Sequence, residues 1–101
     1  MISTLKSYKT KSVTTEQSVL TVPAATIVTI VGMTVANVSG QITEVSVMLD
    51  DTYLVKDAAV MAGSAIVPVG GDQKVVVNAS SSIKVVATHA VDVICSILEQ
   101  K

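Results

Sequence analysis

The sequence predicts an all-β protein, a single antiparallel β-sandwich of jelly-roll or immunoglobulin-like form with about eight strands. Three observations point there. Short valine-rich runs occupy residues 18–22, 26–36, 41–49, 52–60, 65–69, 74–78, 83–87 and 91–98, and each is closed by a cluster of turn residues. Runs of roughly 5 to 10 β-branched residues at regular spacing between turn signals are the pattern of a sandwich or barrel. Half of the 101 residues are hydrophobic, yet Phe and Trp are absent and only Tyr8 and Tyr53 are aromatic, so twenty valines with Ile, Leu, Met and Ala must fill the core. Valine and isoleucine suit a pleated, half-buried surface and are less comfortable in a helix.

Taken in order, residues 1–17 are the most polar part and alternate weakly, as an N-terminal arm or an edge strand would. Residues 18–101 form the sandwich domain. The run 43–49 alternates with period two, placing Val45, Val47 and Leu49 on a core face and Glu44, Ser46 and Met48 on the other. Leu49-Asp-Asp-Thr-Tyr53 joins two antiparallel neighbours. Gly70-Gly71-Asp72-Gln73, between Val69 and Val75, reads as a tight hairpin, because glycine supplies positive φ without steric cost. In the last strand Val91, Val93, Cys95 and Ile97 share one face, and Ile94 and Leu98 lie on the other.

That last strand is apolar on both faces, and so are Ile27, Val28, Ile30 and Val31 and the run Val75-Val-Val77. An antiparallel sandwich usually keeps one wet face per sheet. Either loops cover these stretches or their outer faces meet another subunit.

The search for chemistry finds no catalytic, cofactor or metal site. His89 is the sole histidine, with no second His or Cys at ligand spacing. Asp50, Asp51 and Asp57 offer oxygen atoms to a cation but lack the spacing of an EF-hand, and a solvated hairpin with Asx turns explains them as well. Gly70-Gly71 opens no helix, so it is no phosphate cradle, and the serines and threonines have no base beside them. No enzyme, and no small-molecule substrate, is expected.

The seven cations are all lysines, balanced by eight acids to a net charge of −1. Arginine is the side chain that forks onto phosphate and guanine edges, so its absence argues against nucleic acid as a partner. Lys6, Lys9 and Lys11 make the first eleven residues weakly basic. Cys95 has no partner for a disulfide and is expected to be a buried thiol. The sequons at Asn37 and Asn78 fall at strand ends, where Asn supports a turn. The first residues lack the apolar region of a signal peptide, and the longest apolar stretch, residues 27–38, is interrupted and too short to span a bilayer. A soluble protein made in a cytoplasm, with no membrane partner, is expected.

The succession Leu20-Thr-Val-Pro-Ala-Ala25, Val31-Gly-Met-Thr-Val-Ala-Asn37, Tyr53-Leu-Val-Lys-Asp-Ala58, Gly70-Gly-Asp-Gln-Lys-Val-Val-Val77 and Ser82-Ile-Lys-Val85 resembles a group of small β-sandwich virion proteins of tailed bacteriophages. The likeness runs over about residues 18–98, and its motifs are turn and packing signatures. Met61-Ala-Gly-Ser64 stands where the group's pattern has Pro-Ala-Gly-Gly, a departure confined to a turn. The resemblance implies a structural protein of the virion, made in the host cytoplasm. It implies a capsid decoration or cement protein first, or else a neck, collar or tail-associated subunit. Its partners would be further copies of itself, with a trimer favoured, and capsid or neck and tail proteins. On that reading Lys6, Tyr8 and Lys9 touch the capsid lattice, and Val28, Ile30, Ile94 and Leu98 pack against neighbouring subunits. A carbohydrate-binding sandwich is the other class, but two tyrosines give few platforms on which a sugar could stack.

Overall fold

The computed structural model describes residues 2–70 and 73–101. Among them lie nine strands: β1 (Ser3–Val13), β2 (Gln17–Thr21), β3 (Ile27–Asn37), β4 (Thr43–Leu49), β5 (Thr52–Val60), β6 (Ala65–Val69), β7 (Val75–Val77), β8 (Ser82–Ala87) and β9 (Val91–Gln100). One sheet runs β1-β9-β3-β6, with β7 also on β3, and the other runs β2-β8-β4-β5. Every pairing is antiparallel.

The topology is that of a long hairpin rolled up. β4 and β5 join through Asp50-Asp51, and outward from that tip β3 pairs with β6 and β7, β2 with β8, and β1 with β9. Wrapping this ribbon brings β9 beside β3 and β8 beside β4, which closes the two sheets. An immunoglobulin sandwich instead divides its strands as ABED and CFG, so the arrangement is a jelly roll.

The core lies between the sheets and is aliphatic, as the composition requires. Ile30, Val35, Val45, Val47, Val69, Val77, Ile83, Val85, Val91, Cys95 and Ile97 are fully enclosed. The alternation expected of the last strand holds, with Val91, Val93, Cys95 and Ile97 inward and Ile94 outward.

Three sequence expectations are refined. The N-terminal segment is an edge strand, paired with β9 along almost its whole length. The flanks of the glycine pair do not form a hairpin, because β6 and β7 lie end to end along β3 and neither pairs with the other. Gly71 and Asp72 themselves lie outside the described residues. On β4, Met48 and Ser46 are buried although the alternation points them outward. In the ladder Met48 stands between Lys84 and Tyr53, whose long side chains flank it. The Ser46 hydroxyl donates to Asp57 Oδ1 at 3.2 Å and accepts the Asp57 N–H at 3.0 Å, at a bulge where Asp57 takes φ 51°.

Candidate interaction surface

Residues paired across a ladder share a face of the sheet, so the register maps the outer face of the five-stranded sheet. From β9 come Asp92, Ile94, Ser96, Leu98 and Gln100. Opposite them stand Lys9, Ser7, Leu5 and Ser3 of β1 on one side, and Ala36, Thr34, Gly32, Thr29 and Ile27 of β3 on the other. Val76 of β7 lies across from Thr29. One row therefore reads Leu5, Leu98, Thr29, Val76 from edge to edge.

The charged residues among these are Lys9 and Asp92, and one Asp92 carboxylate oxygen already accepts the Ser12 N–H at 2.9 Å. Leu5 is 76% exposed, Ile94 52% and Val76 52%, and Leu98 is half-buried. The outer face of the four-stranded sheet carries Glu44, Lys84 and Tyr53 in its ladder, a more polar surface. Lys56 sits over the Tyr53 ring at 5.3 Å from its centroid. No cleft opens among the described residues, and no three His, Cys, Asp or Glu side chains gather there.

The residues expected at an interface divide. Ile94 and Leu98 lie on the outer face as anticipated. Val28 and Ile30 are corrected: both are buried in the core, because they stand across β9 from Glu99 and Ile97 on the inner face. The apolar run that contains them faces outward through Ile27 and Thr29 instead. Tyr8 is half-buried and packs against the core. Lys9 points outward, and Lys6 is held by Glu99, with Nζ 3.0 Å from Oε1. Glu99 is only 4% exposed and receives Lys101 as well, at 3.7 Å. The paired lysines hold its carboxyl below the ordinary carboxylate value, and Glu99 in turn raises Lys6.

The three aspartates hold turns and a bulge. Asp50 takes φ 54° at the β4–β5 turn, and its Oδ1 accepts the Ser82 N–H at 3.0 Å. That bond, with help from Ser81, holds its carboxyl below the ordinary value. Asp51 accepts from the Thr52 hydroxyl at 3.2 Å, and Asp57 belongs to the bulge against Ser46. Asn37 does support a turn: it is buried, donates to the Gln41 and Val60 carbonyls at 2.7 and 3.0 Å, and accepts from Ser39.

The sequence reading passed over Leu5, the most exposed large apolar side chain among the described residues. It sits among Ser, Thr and Lys, so no hydrophobic run marked it; only its period-two phase against Leu98 could have. Compared with family models, curated proteins and solved structures, the chain matches none.

Proposed function

We propose that the chain is a non-enzymatic structural protein of a bacteriophage virion, most readily a capsid decoration protein that stabilises the head through repeated contacts. The observation that carries this reading is the outer face of the five-stranded sheet, where the rows across β1, β9, β3 and β7 carry Lys9 and Asp92 as their charges and present exposed Leu5, Ile27, Ile94 and Val76. Exposed apolar surface of this kind marks a place where another protein sits. Jelly rolls recur in viral capsid and lectin domains, but a fold hosts many activities, so the topology is an analogy and the face is the argument. A neck, collar or tail subunit would use the same face. A sugar-binding role has less support, since the Lys56 ammonium occupies one side of the half-exposed Tyr53 ring.

The test mixes the purified chain with phage shells stripped of their minor proteins. Saturable, stoichiometric binding that Ile94→Lys abolishes, with the variant still folded, supports decoration. Binding to isolated neck or tail assemblies and not to shells moves the protein there. No binding to any particle component would sink the virion reading.

A further inference from the structure

The edge of β1 is a pairing surface, and the geometry points to a second copy of this chain as its occupant. We propose that two copies join β1 to β1 antiparallel about a two-fold axis at Leu5, making one continuous sheet. The inference stands on the edge itself and does not depend on the virion reading.

Which backbone groups are open follows from one pair of bonds. Ile2 and Lys101 exchange both of theirs, Ile2 N–H to Lys101 O at 3.2 Å and Lys101 N–H to Ile2 O at 3.0 Å. In an antiparallel ladder such pairs alternate with pairs that make no mutual bonds. Thr4, Lys6, Tyr8 and Thr10 therefore point their backbone groups at β9, and Ser3, Leu5, Ser7 and Lys9 point theirs away, at the open edge. The register is unbroken from Ser3 to Thr10.

The other edges are blunted as natural sheet edges usually are. β2 is five residues long and shifts register between Ser18 and Leu20. β5 bulges at Asp57. β6 carries Pro68 and stops short of β7. β1 has neither bulge nor proline along residues 3–9, and residues 3–7 are exposed on both faces. Its guard is electrostatic: Lys6 and Lys9 penalise any register that sets lysine against lysine.

An antiparallel partner must match open residue to open residue. Centring on Lys6 faces lysine with lysine. Centring on Ser7 sets Leu5 against Lys9, and centring on Thr4 sets Leu5 against Ser3. Centring on Leu5 sets Leu5 against its own copy, Ser3 against Ser7, Thr4 against Lys6 and Ile2 against Tyr8, so no lysine meets another. The axis is perpendicular to the sheet, so both outer faces end on the same side. The apolar row then runs Val76, Thr29, Leu98, Leu5 and on through Leu5, Leu98, Thr29 and Val76 of the other copy. Leu5 and Ile2, 76% and 70% exposed in the single chain, gain partners. The contact is isologous and gives a dimer, in place of the trimer that the resemblance suggests.

Light scattering on the full chain during size-exclusion chromatography should give the mass of two chains, falling to one on dilution. Leu5→Pro removes the outward N–H on the axis and no bond to β9, since proline is tolerated where the N–H faces solvent; it should run as a folded monomer with an unchanged circular dichroism spectrum. Leu5→Cys should form a disulfide-linked dimer roughly tenfold faster than Ser7→Cys, because paired Cα atoms about 5.5 Å apart suit a disulfide. The buried Cys95 serves as an unreactive internal control. A monomer or trimer at every concentration, a dimer that survives Leu5→Pro, or faster crosslinking at Ser7→Cys would overturn the proposal. Shell binding by a constitutive monomer would overturn it too, while leaving the virion reading intact.

Discussion

Asn37 reaches across one end of the roll to the backbone of Val60, its Nδ2 donating to that carbonyl at 3.0 Å. The same amide holds Gln41 O at 2.7 Å, and its Oδ1 accepts the Ser39 N–H and hydroxyl at 2.9 and 2.7 Å. One side chain thus fastens the loop between β3 and β4 to the end of β5.

Replacing Asn37 with Ala removes the side-chain donor from the buried Val60 carbonyl, which Thr43 also faces in the ladder, and the donor to Gln41 O. Each hydrogen bond contributes about 0.5–1.5 kcal/mol net, so losing two or three costs roughly 1–3 kcal/mol, and the loop also loses its internal acceptor. Urea unfolding should show Asn37→Ala less stable by about 2–3 kcal/mol, towards the upper end of that cost. Asn37→Asp should fare no better, because a carboxylate cannot donate to either carbonyl. An effect below about 0.5 kcal/mol, the size of a surface change, would mean the loop holds by other means.

Two isoleucines on neighbouring strands separate core from surface. Ile30 is fully buried, so Ile30→Ala should cost about 2–5 kcal/mol, the range for a large aliphatic cut to Ala in a core. Ile94 faces outward on β9, and Ile94→Lys should change stability by no more than about 0.5 kcal/mol, as surface substitutions do. Thermal unfolding checks both. The reverse order would place the packed face of the sheet on the wrong side.

The contrast between Ile30 and Ile94 also marks how far the sequence could be read. Alternation in β9, the inward Val45 and Val47 of β4, the Asp50-Asp51 turn and the aliphatic core were legible because they depend on local period and turn chemistry. The β6–β7 arrangement was not: two short runs flanking glycines look the same whether they pair with each other or share a third strand. Val28 and Ile30 were misassigned because Val31 is an extra residue in the register of β3, between Ile30 and Gly32, and such a bulge reverses the faces beyond it. Met48 looked exposed because its cover comes from neighbouring strands, Tyr53 of β5 and Lys84 of β8, which the period of β4 alone does not include. Leu5 went unnoticed because it lies on the outward side of β1 among Thr, Lys and Ser, with no apolar neighbour in sequence to mark it.

Gly63 tests the turn between β5 and β6. The Ser64 N–H donates to the Met61 carbonyl at 3.0 Å, and Gly63 takes φ 77°, as the third residue of a type II turn requires. Space is not the constraint, because a Cβ there meets nothing within 4 Å. Gly63→Ala should therefore cost about 1 kcal/mol from backbone strain alone, and Gly63→Asn less, since Asn tolerates the left-handed region. Equal stability of all three proteins would show that the turn changes conformation to suit its residue.

Cys95 should be chemically silent until the protein unfolds. Its side chain is fully buried on the inner face of β9, and desolvation pushes the thiol up to about 11. At pH 8 the thiolate, the reactive form, is scarce and out of reach. Alkylation by a small maleimide should follow the unfolding equilibrium, slow in buffer and rapid past the urea midpoint. Rapid labelling in buffer would mean that β9 opens locally against β1 or β3.

The Lys6–Glu99 pair sets how stability depends on pH. Glu99 is depressed below its ordinary value of 4.5, so its contribution is complete above that pH and disappears as pH falls through the depressed value. Lys6 is raised above 10.5, so its contribution is complete below that pH and disappears as pH rises through the raised value. Between these limits the pair contributes a constant amount, reduced by salt because the Lys6 side chain is 40% exposed. Glu99→Gln should flatten both limbs of the stability profile, measured by urea unfolding from acid to alkaline pH. Some acid loss should remain, because Asp50 is depressed below its own ordinary value of 3.8 by its bonds to Ser82 and Ser81. Adding Asp50→Asn should remove most of that remainder. An acid limb unchanged by either substitution would move the titrating groups away from both strand ends.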